Sequence, residues 1–426
     1  MKRLGLWLLG IMLAAPLMGA MSPPANAAEE KTKTLVIGCT ASQTGVFHME
    51  SLRQINGLQL WLEQVNAAGG IKLADGTVAK FAVKFYDDES KEERVRELYS
   101  TLINEDKADF LISPYSSGLA DAAAAIAQKH QKLMITAGAA SDVTYKKGHT
   151  LIYQTYSPAS RYLTGALDLL GKLDPKARKV AILHEKDLFS TEVVSALKVY
   201  AEGKGYQIVL HEGYDSGQRD FAPLIAKIPQ GVEAVMGGGH IADSQALARQ
   251  IYEKDVKAKM VALLVAPSEP GFADLGEAAV GVIGPSQWEP LAKYSPEAAQ
   301  AAGLEWYGPN IPDFVRTYRA KYKKWPSYHS AGGYVAGLLL QKAVQTAGST
   351  DTAKIKAMLD KLDLLTFYGR LKFDQNPKSH GLQIGHEMFL TQWQKDAQGK
   401  LISLLLNQIV WPEAAKTAEA MLYPLH

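Results

Sequence analysis

Apolar side chains at Leu52, Ile55, Leu58, Leu62 and Val65 return every three or four residues, the spacing of one buried helix face. Leu35-Val36-Ile37-Gly38 precedes this run, and after it Phe81, Val83 and Phe85 alternate with Lys80, Ala82 and Lys84. The pattern predicts strand, polar loop, helix, strand. Gly69 and Gly70 close the helix, because glycine takes the left-handed backbone of a helix end at low cost. Short β-rich runs at 109–112, 133–136, 180–183, 206–210, 234–236 and 260–264 then alternate with helical segments, which predicts parallel sheets covered by helices on both faces. Val180, Gln207, Ala234 and Val261 stand 27 residues apart, the length of a strand plus a crossover helix.

Farther on, helices are predicted over 311–322, 328–346 and 352–362, and strands over 370–373, 387–394 and 401–408. From 285 to 312 the periodicity breaks: prolines and the aromatics Trp288, Tyr294, Trp306 and Tyr307 mark a loop excursion. A chain of 426 residues exceeds what one hydrophobic core usually supports, so two lobes are expected.

Residues 1–28 have the make-up of a signal peptide. Lys2 and Arg3 start it, a mostly apolar run from Leu4 to Leu17 follows, and Ala25-Asn26-Ala27 offers a small-residue cleavage pattern near Ala27. The apolar run is shorter than the roughly 20 residues that span a bilayer, which disfavours a retained anchor. No cysteine follows the cut, which disfavours a lipoprotein. With 46 basic and 44 acidic residues in the whole chain, removing Lys2 and Arg3 leaves 44 of each, and no attraction to nucleic acid follows. Cys39 is the only cysteine, so no intramolecular disulfide can form and the core must hold the fold.

Catalytic patterns are missing. The sequence contains no G-x-S-x-G elbow, phosphate-binding G-x-x-x-x-G-K-[ST] loop or G-x-G-x-x-G turn. His184-Glu185 meets Leu188, and His211-Glu212 meets Asp215, where a metalloprotease helix needs its second histidine. No metal and no cofactor are expected, and an enzyme is disfavoured, although a triad assembled from distant residues stays open.

The polar loops after predicted strands are more telling. Ser113-Pro114-Tyr115-Ser116-Ser117-Gly118 opens an alanine-rich helix, and free N–H groups at a helix start plus two hydroxyls can hold a carboxylate. Ser116 or Ser117 acting only as a helix cap is the plain alternative. The next loop, Ala137-Gly138-Ala139-Ala140-Ser141, is small enough for a ligand to lie against backbone, or it is simply a tight turn.

The opening unit, from Leu35-Val36-Ile37-Gly38 through Asn66-Ala67-Ala68-Gly69-Gly70-Ile71 to Tyr86-Asp87-Asp88, resembles the type I periplasmic solute-binding proteins of the branched-chain amino acid (Leu/Ile/Val-binding) transporter family. The resemblance extends diffusely over almost the whole mature chain. It implies two Rossmann-like α/β lobes joined by three crossover segments, near 153–157, 282–287 and 364–368. The implied partition is lobe I over 29–154 and 287–365, lobe II over 155–286 and 366–410, and a C-terminal tail over 411–426.

It also implies site roles. Ser116 and Ser117 would hold a ligand carboxylate, helped by the Ala139 carbonyl, Ala140 and Ser141. Phe189 would be an aromatic wall, with core packing as the alternative. His240, after Gly237-Gly238-Gly239, stands where the family has tyrosine. Glu269, or Ser268, would face a ligand ammonium, with a solvent-exposed Glu269 as the alternative. Glu50 and Trp288 follow from position alone. The implied function is an exported, monomeric binder that closes on an amino acid and delivers it to the membrane permease of an ABC importer. An aromatic carboxylate or amide, a receptor-sensing role and a periplasmic hydrolase stay open as alternatives.

Overall fold

The computed structural model describes residues 31–405, apart from the side chain of Leu405; the predicted leader over 1–28 and tail over 411–426 lie outside the described residues. Two large sheets organise the chain. The six-stranded sheet runs in the order Ile71–Lys72, Val78–Asp87, Thr32–Ala41, Phe110–Ile112, Met134–Thr136, Ile152–Gln154. Its strands pair in parallel except the short edge pair, where Ile71 and Lys72 run antiparallel to Ala79 and Val78. The seven-stranded sheet has the order Leu401–Leu405, Phe389–Lys395, Ile283–Ser286, Met260–Leu263, Ala234–Gly238, Lys179–Glu185, Gln207–Tyr214, with only Phe389–Lys395 running against the rest. Most strands are therefore buried on both faces, which explains why the short central ones read as continuous apolar runs. The mixed α/β architecture with parallel sheets is the one predicted. Among the described residues, no helix is long and apolar enough to cross a membrane.

The periodic helix forms over His48–Ala67 and buries Ile55, Leu58, Trp61 and Val65, but Leu52 is exposed. Its buried face is shifted because it lies unusually close to the helix Tyr328–Ala347. A Cβ on Gly57 would sit 1.9 Å from the Ser330 carbonyl oxygen, and one on Gly333 would sit 1.9 Å from that of Gln54. Glycines here let two backbones touch, a packing that apolar periodicity does not announce.

Three passages connect the sheets, and their side chains tie them together. Ser157 N–H donates to Gln287 Oε1 (2.8 Å), and Gln287 Nε2 donates to the Tyr162 hydroxyl (2.8 Å). Trp288 Nε1 donates to the Phe367 carbonyl (3.0 Å). The third passage follows Gln383. Asp363–Thr366 and Gly369–Lys372 form a hairpin within a separate three-stranded sheet, and Gln383 N–H still reaches Gln154 Oε1 (3.3 Å) of the first sheet. The chain joins the seven-stranded sheet only at Phe389.

Candidate functional site

Loops leaving the carboxyl ends of both large sheets converge on one cleft, the usual place for a ligand in open α/β folds. From the first sheet comes the serine loop. Ser113 Oγ accepts from the Ala137 N–H (3.1 Å), and Ser117 Oγ accepts from the N–H groups of Ala140 and Ser141 (3.2 Å each). These bonds lock the loop at 113–117 to the loop at 137–141. Ser116 precedes the helix Ser117–Lys129 in extended backbone, and its hydroxyl makes no capping bond. The first N–H groups of that helix have no intrahelical partner.

His240 faces this loop from the second sheet, immediately before the helix Ile241–Glu253. Its Nε2 lies 3.1 Å from Asp187 Oδ2, and its Nδ1 lies 2.8 Å from the Tyr115 hydroxyl. Burial alone would drive the imidazole toward neutrality. The Asp187 carboxylate reverses this, and with Glu185 and Glu50 raises His240 to about 10. Both ring nitrogens therefore carry protons, one donated to Asp187 and one to Tyr115. Asp187 itself is held below the usual carboxylate range: burial opposes this, and protonated His240 outweighs it.

The cavity between the loops is narrow, with about 10 Å³ of space for the centre of a water molecule. Ser116, Ser117, Gly138 and Ala140 line one side, and an aromatic set of Tyr115, Tyr156, Tyr162, Phe189, Tyr328 and His240 encloses the rest. Phe189 packs edge-on to Tyr162 with ring centres 5.0 Å apart, so it belongs to the cavity wall and to the core at once. The Tyr156 hydroxyl is buried without a hydrogen-bond partner. Val265, also on the wall, has φ +56° and ψ −65°. A β-branched residue rarely adopts that conformation, and strain of on the order of 1–3 kcal/mol concentrates at functional sites.

The remaining residues singled out in the sequence lie around this cavity. Ala139 is buried, and its carbonyl accepts from Gln154 Nε2 (3.4 Å). Ser141 Oγ donates to Glu192 Oε2 (2.5 Å). Glu50 accepts from the Ile241 N–H (2.9 Å), and burial raises its pKa. Ser268 Oγ donates to the Pro285 carbonyl (2.7 Å). Glu269 is 1 % exposed and lies between the Arg53 guanidinium and His329, whose Nδ1 is 2.5 Å from Glu269 Oε1. Burial, followed by the nearby Arg53 charge, keeps His329 neutral. Ser268, Glu269 and Trp288 line a separate groove with Leu291, Trp325 and Trp393.

Sequence reading passed over Tyr115, Tyr156, Tyr162, Val265 and Tyr328. Tyr115 had a signal, since it sits inside the serine loop. Tyr328 also follows a helix-start pattern, Pro326-Ser327. Nothing in the local sequence marks Tyr156 or Tyr162, which enter through the first passage between the sheets.

Polar contacts cross the cleft directly at four places: Tyr115 to His240, Glu50 to the Ile241 N–H, Glu192 to Ser141 and to the Asp142 N–H (2.9 Å), and Glu269 to Arg53 and His329. Two α/β lobes that meet through such contacts around a small buried cavity define a clamshell solute-binding protein. The family model of the periplasmic binding proteins matches residues 34–399, and the chain belongs to that family. The leucine-, isoleucine-, valine-, threonine- and alanine-binding protein of Pseudomonas aeruginosa is 23% identical over 367 residues, 85% of this chain and 91% of that one. Leu/Ile/Val-binding protein homolog 1 of Brucella suis is 25% identical over 370 residues, 86% and 92% of the two chains.

Solved structures share the fold. The branched-chain amino acid transporter substrate-binding protein LivJ of Streptococcus pneumoniae, in complex with isoleucine, superposes with a TM-score of 0.71 at 20% identity, covering 88% of this chain and 99% of that one. A solute-binding protein of an ABC transporter from Rhodopseudomonas palustris HaA2, in complex with p-hydroxybenzoic acid, gives 0.72 at 20% identity, covering 88% and 96%.

Proposed function

We propose that this protein is the exported substrate-binding component of an ABC importer, and that it captures a small carboxylate-bearing solute by closing its two lobes. The leader at 1–28, cut near Ala27, would deliver it to the periplasm, and a membrane permease would receive the solute. The mature protein would act as a monomer, without nucleic acid and without catalysis. In this reading Ser116, the N–H groups that follow it and the loop at 138–140 receive the carboxylate, while Phe189, His240 and the tyrosines enclose the remainder.

One observation favours an aromatic carboxylate over an amino acid. The cavity wall contains six aromatic rings and no carboxylate, because Glu269 is already engaged by Arg53 and His329. A primary ammonium enclosed there would lose its water without gaining an ionic partner, which is costly. An aromatic ring loses nothing of the kind and stacks well. The second reading, an aliphatic amino acid, is favoured by the relatives from P. aeruginosa and B. suis.

Thermal-shift and calorimetric titration of the mature protein with benzoate, 4-hydroxybenzoate, leucine and isoleucine tests both, since a ligand of the folded state raises apparent stability by mass action. Stabilisation by the aromatic acids alone supports the first reading. Tighter binding of leucine or isoleucine moves the assignment to the second. Indifference to all four, and to a wider panel of carboxylates, would end the carboxylate proposal.

A further inference from the structure

Beside the ligand cavity, on the second-sheet side, the ends of two neighbouring strands bring together a cluster of which solute capture uses only His240. Glu185 and Asp187 follow the strand Lys179–Glu185, and His240 follows Ala234–Gly238. One donor atom from each lies within 4.8 Å of the other two. Asp243 stands behind them, 4 % exposed, and its carboxylate accepts from the His240 N–H (2.8 Å) and from the Tyr214 hydroxyl.

Two features favour a cation here. Glu185 and Asp243 are buried and Asp187 nearly so, yet the imidazole of His240 is their only cationic neighbour at ion-pair distance among the described residues. Buried carboxylates in that excess need a further positive charge. The second feature is Gly239. A Cβ there would fall 2.4 Å from Glu185 Oε2 and 2.5 Å from Asp243 Oδ2, so only glycine lets these two carboxylates crowd together.

We propose that Glu185, Asp187 and His240 form a binding site for one divalent first-row transition ion, beside the ligand cavity and sharing only His240 with its wall. An ion centred among donors so spaced lies within roughly 2.8 Å of each, and small rotations bring it to the 2.0–2.2 Å of zinc–nitrogen and zinc–oxygen bonds. One imidazole with carboxylates suits Zn²⁺ or Mn²⁺ better than the all-oxygen shell preferred by Ca²⁺. The outer contacts are built as such sites require. Tyr115 holds Nδ1 of His240, and the ion would displace from Nε2 the proton that Asp187 otherwise accepts; Ser216 holds Glu185; and the N–H groups of Phe189 and Ser190 hold Asp187. None of the sequence patterns for zinc detects it, because its residues come from different strands.

Calorimetric titration of the chelator-stripped mature protein with Zn²⁺, and separately with Mn²⁺, tests the site. One ion per chain is expected, weakened tenfold or more by Glu185→Gln and by Asp187→Asn. Asp215→Asn, an exposed carboxylate paired with Lys186, is expected to leave uptake unchanged. Circular dichroism establishes that each variant is folded. In the unmodified protein, the first equivalent of Mn²⁺ should broaden the ring resonances of His240 and Tyr115 before others, a readout independent of any variant. Absence of saturable uptake, uptake that survives both Glu185→Gln and Asp187→Asn, or broadening centred elsewhere would overturn the proposal.

Discussion

Tyr115 and His240 face each other across the cleft, the phenol oxygen 2.8 Å from imidazole Nδ1. One belongs to the serine loop of the first sheet and the other to the glycine loop of the second, so this contact exists only when the lobes are together. Contacts available in one conformation alone are what shift a conformational equilibrium. Tyr115→Phe keeps the ring and leaves the imidazole proton without an acceptor. Solute affinity is expected to fall about tenfold, roughly 1.4 kcal/mol, while melting of the ligand-free protein changes little. Calorimetry with whichever acid binds best measures it, and an unchanged Kd would deny Tyr115 a part in closure.

Glu192 reaches across the cleft at another point, accepting from the Ser141 hydroxyl and the Asp142 N–H. Glu192→Ala is expected to weaken the solute complex about three- to tenfold, consistent with loss of on the order of 1 kcal/mol of hydrogen bonding. Small-angle scattering should show a larger open fraction in the variant at subsaturating ligand. An identical scattering profile would place Glu192 outside the closing machinery.

Glu269 follows the strand Met260–Leu263 of the second sheet and reaches across the cleft to the first lobe, meeting Arg53 of His48–Ala67 and His329 of Tyr328–Ala347. Removing one partner of a buried pair leaves the other charge uncompensated. Glu269→Gln is therefore expected to disfavour the closed arrangement and lower solute affinity about tenfold, roughly 1.4 kcal/mol, by calorimetry. An unchanged Kd would place Glu269 outside the closing machinery.

Gly333 lies where the same two helices touch, with a Cβ at that position only 1.9 Å from the Gln54 carbonyl oxygen. That neighbour is backbone and cannot swing aside. Gly333→Ala should separate the helices and destabilise the protein by about 3 kcal/mol. A melting temperature within a degree of the unmodified protein would show that the helices can slide apart freely.

Burial raises Glu289 to about 8, and its Oε1 has no hydrogen-bond partner. A carboxyl whose folded pKa lies above the unfolded value favours folding while both states are protonated. As pH rises from about 4.5 toward 8 the unfolded chain ionises first, so this contribution is lost across that window and stays lost above it. Glu289→Gln removes the titration. The variant's melting temperature relative to the unmodified protein is expected to rise by about 2 °C or more between pH 5 and pH 8.5, and a constant difference would mean that water reaches Glu289.

Much of the architecture was legible in the chain. The helices at 311–322 and 328–347 and the central strands match their patterns to within a few residues, because periodicities of 3.6 and 2 are local properties. Ser116, Ser117, Ala140, Phe189 and His240 all reach the cavity wall, since loops at the carboxyl ends of parallel strands share one edge of a sheet. Leu52 shows the limit. It keeps the helical spacing but faces outward, because glycines some 280 positions away draw the helix face around.

Alternation of short strands with helices was thus enough to specify two parallel α/β layers, a core without disulfides and the loops that meet a solute. Which way Glu269 turns, whether tyrosines or acids enclose the cavity, and that Glu185, Asp187 and His240 gather at one point depended on folding in three dimensions. Those outcomes hinge on partners remote in sequence: Arg53 and His329 satisfy a carboxylate that the chain alone presents as free, and charge burial is decided by such neighbours rather than by residue type.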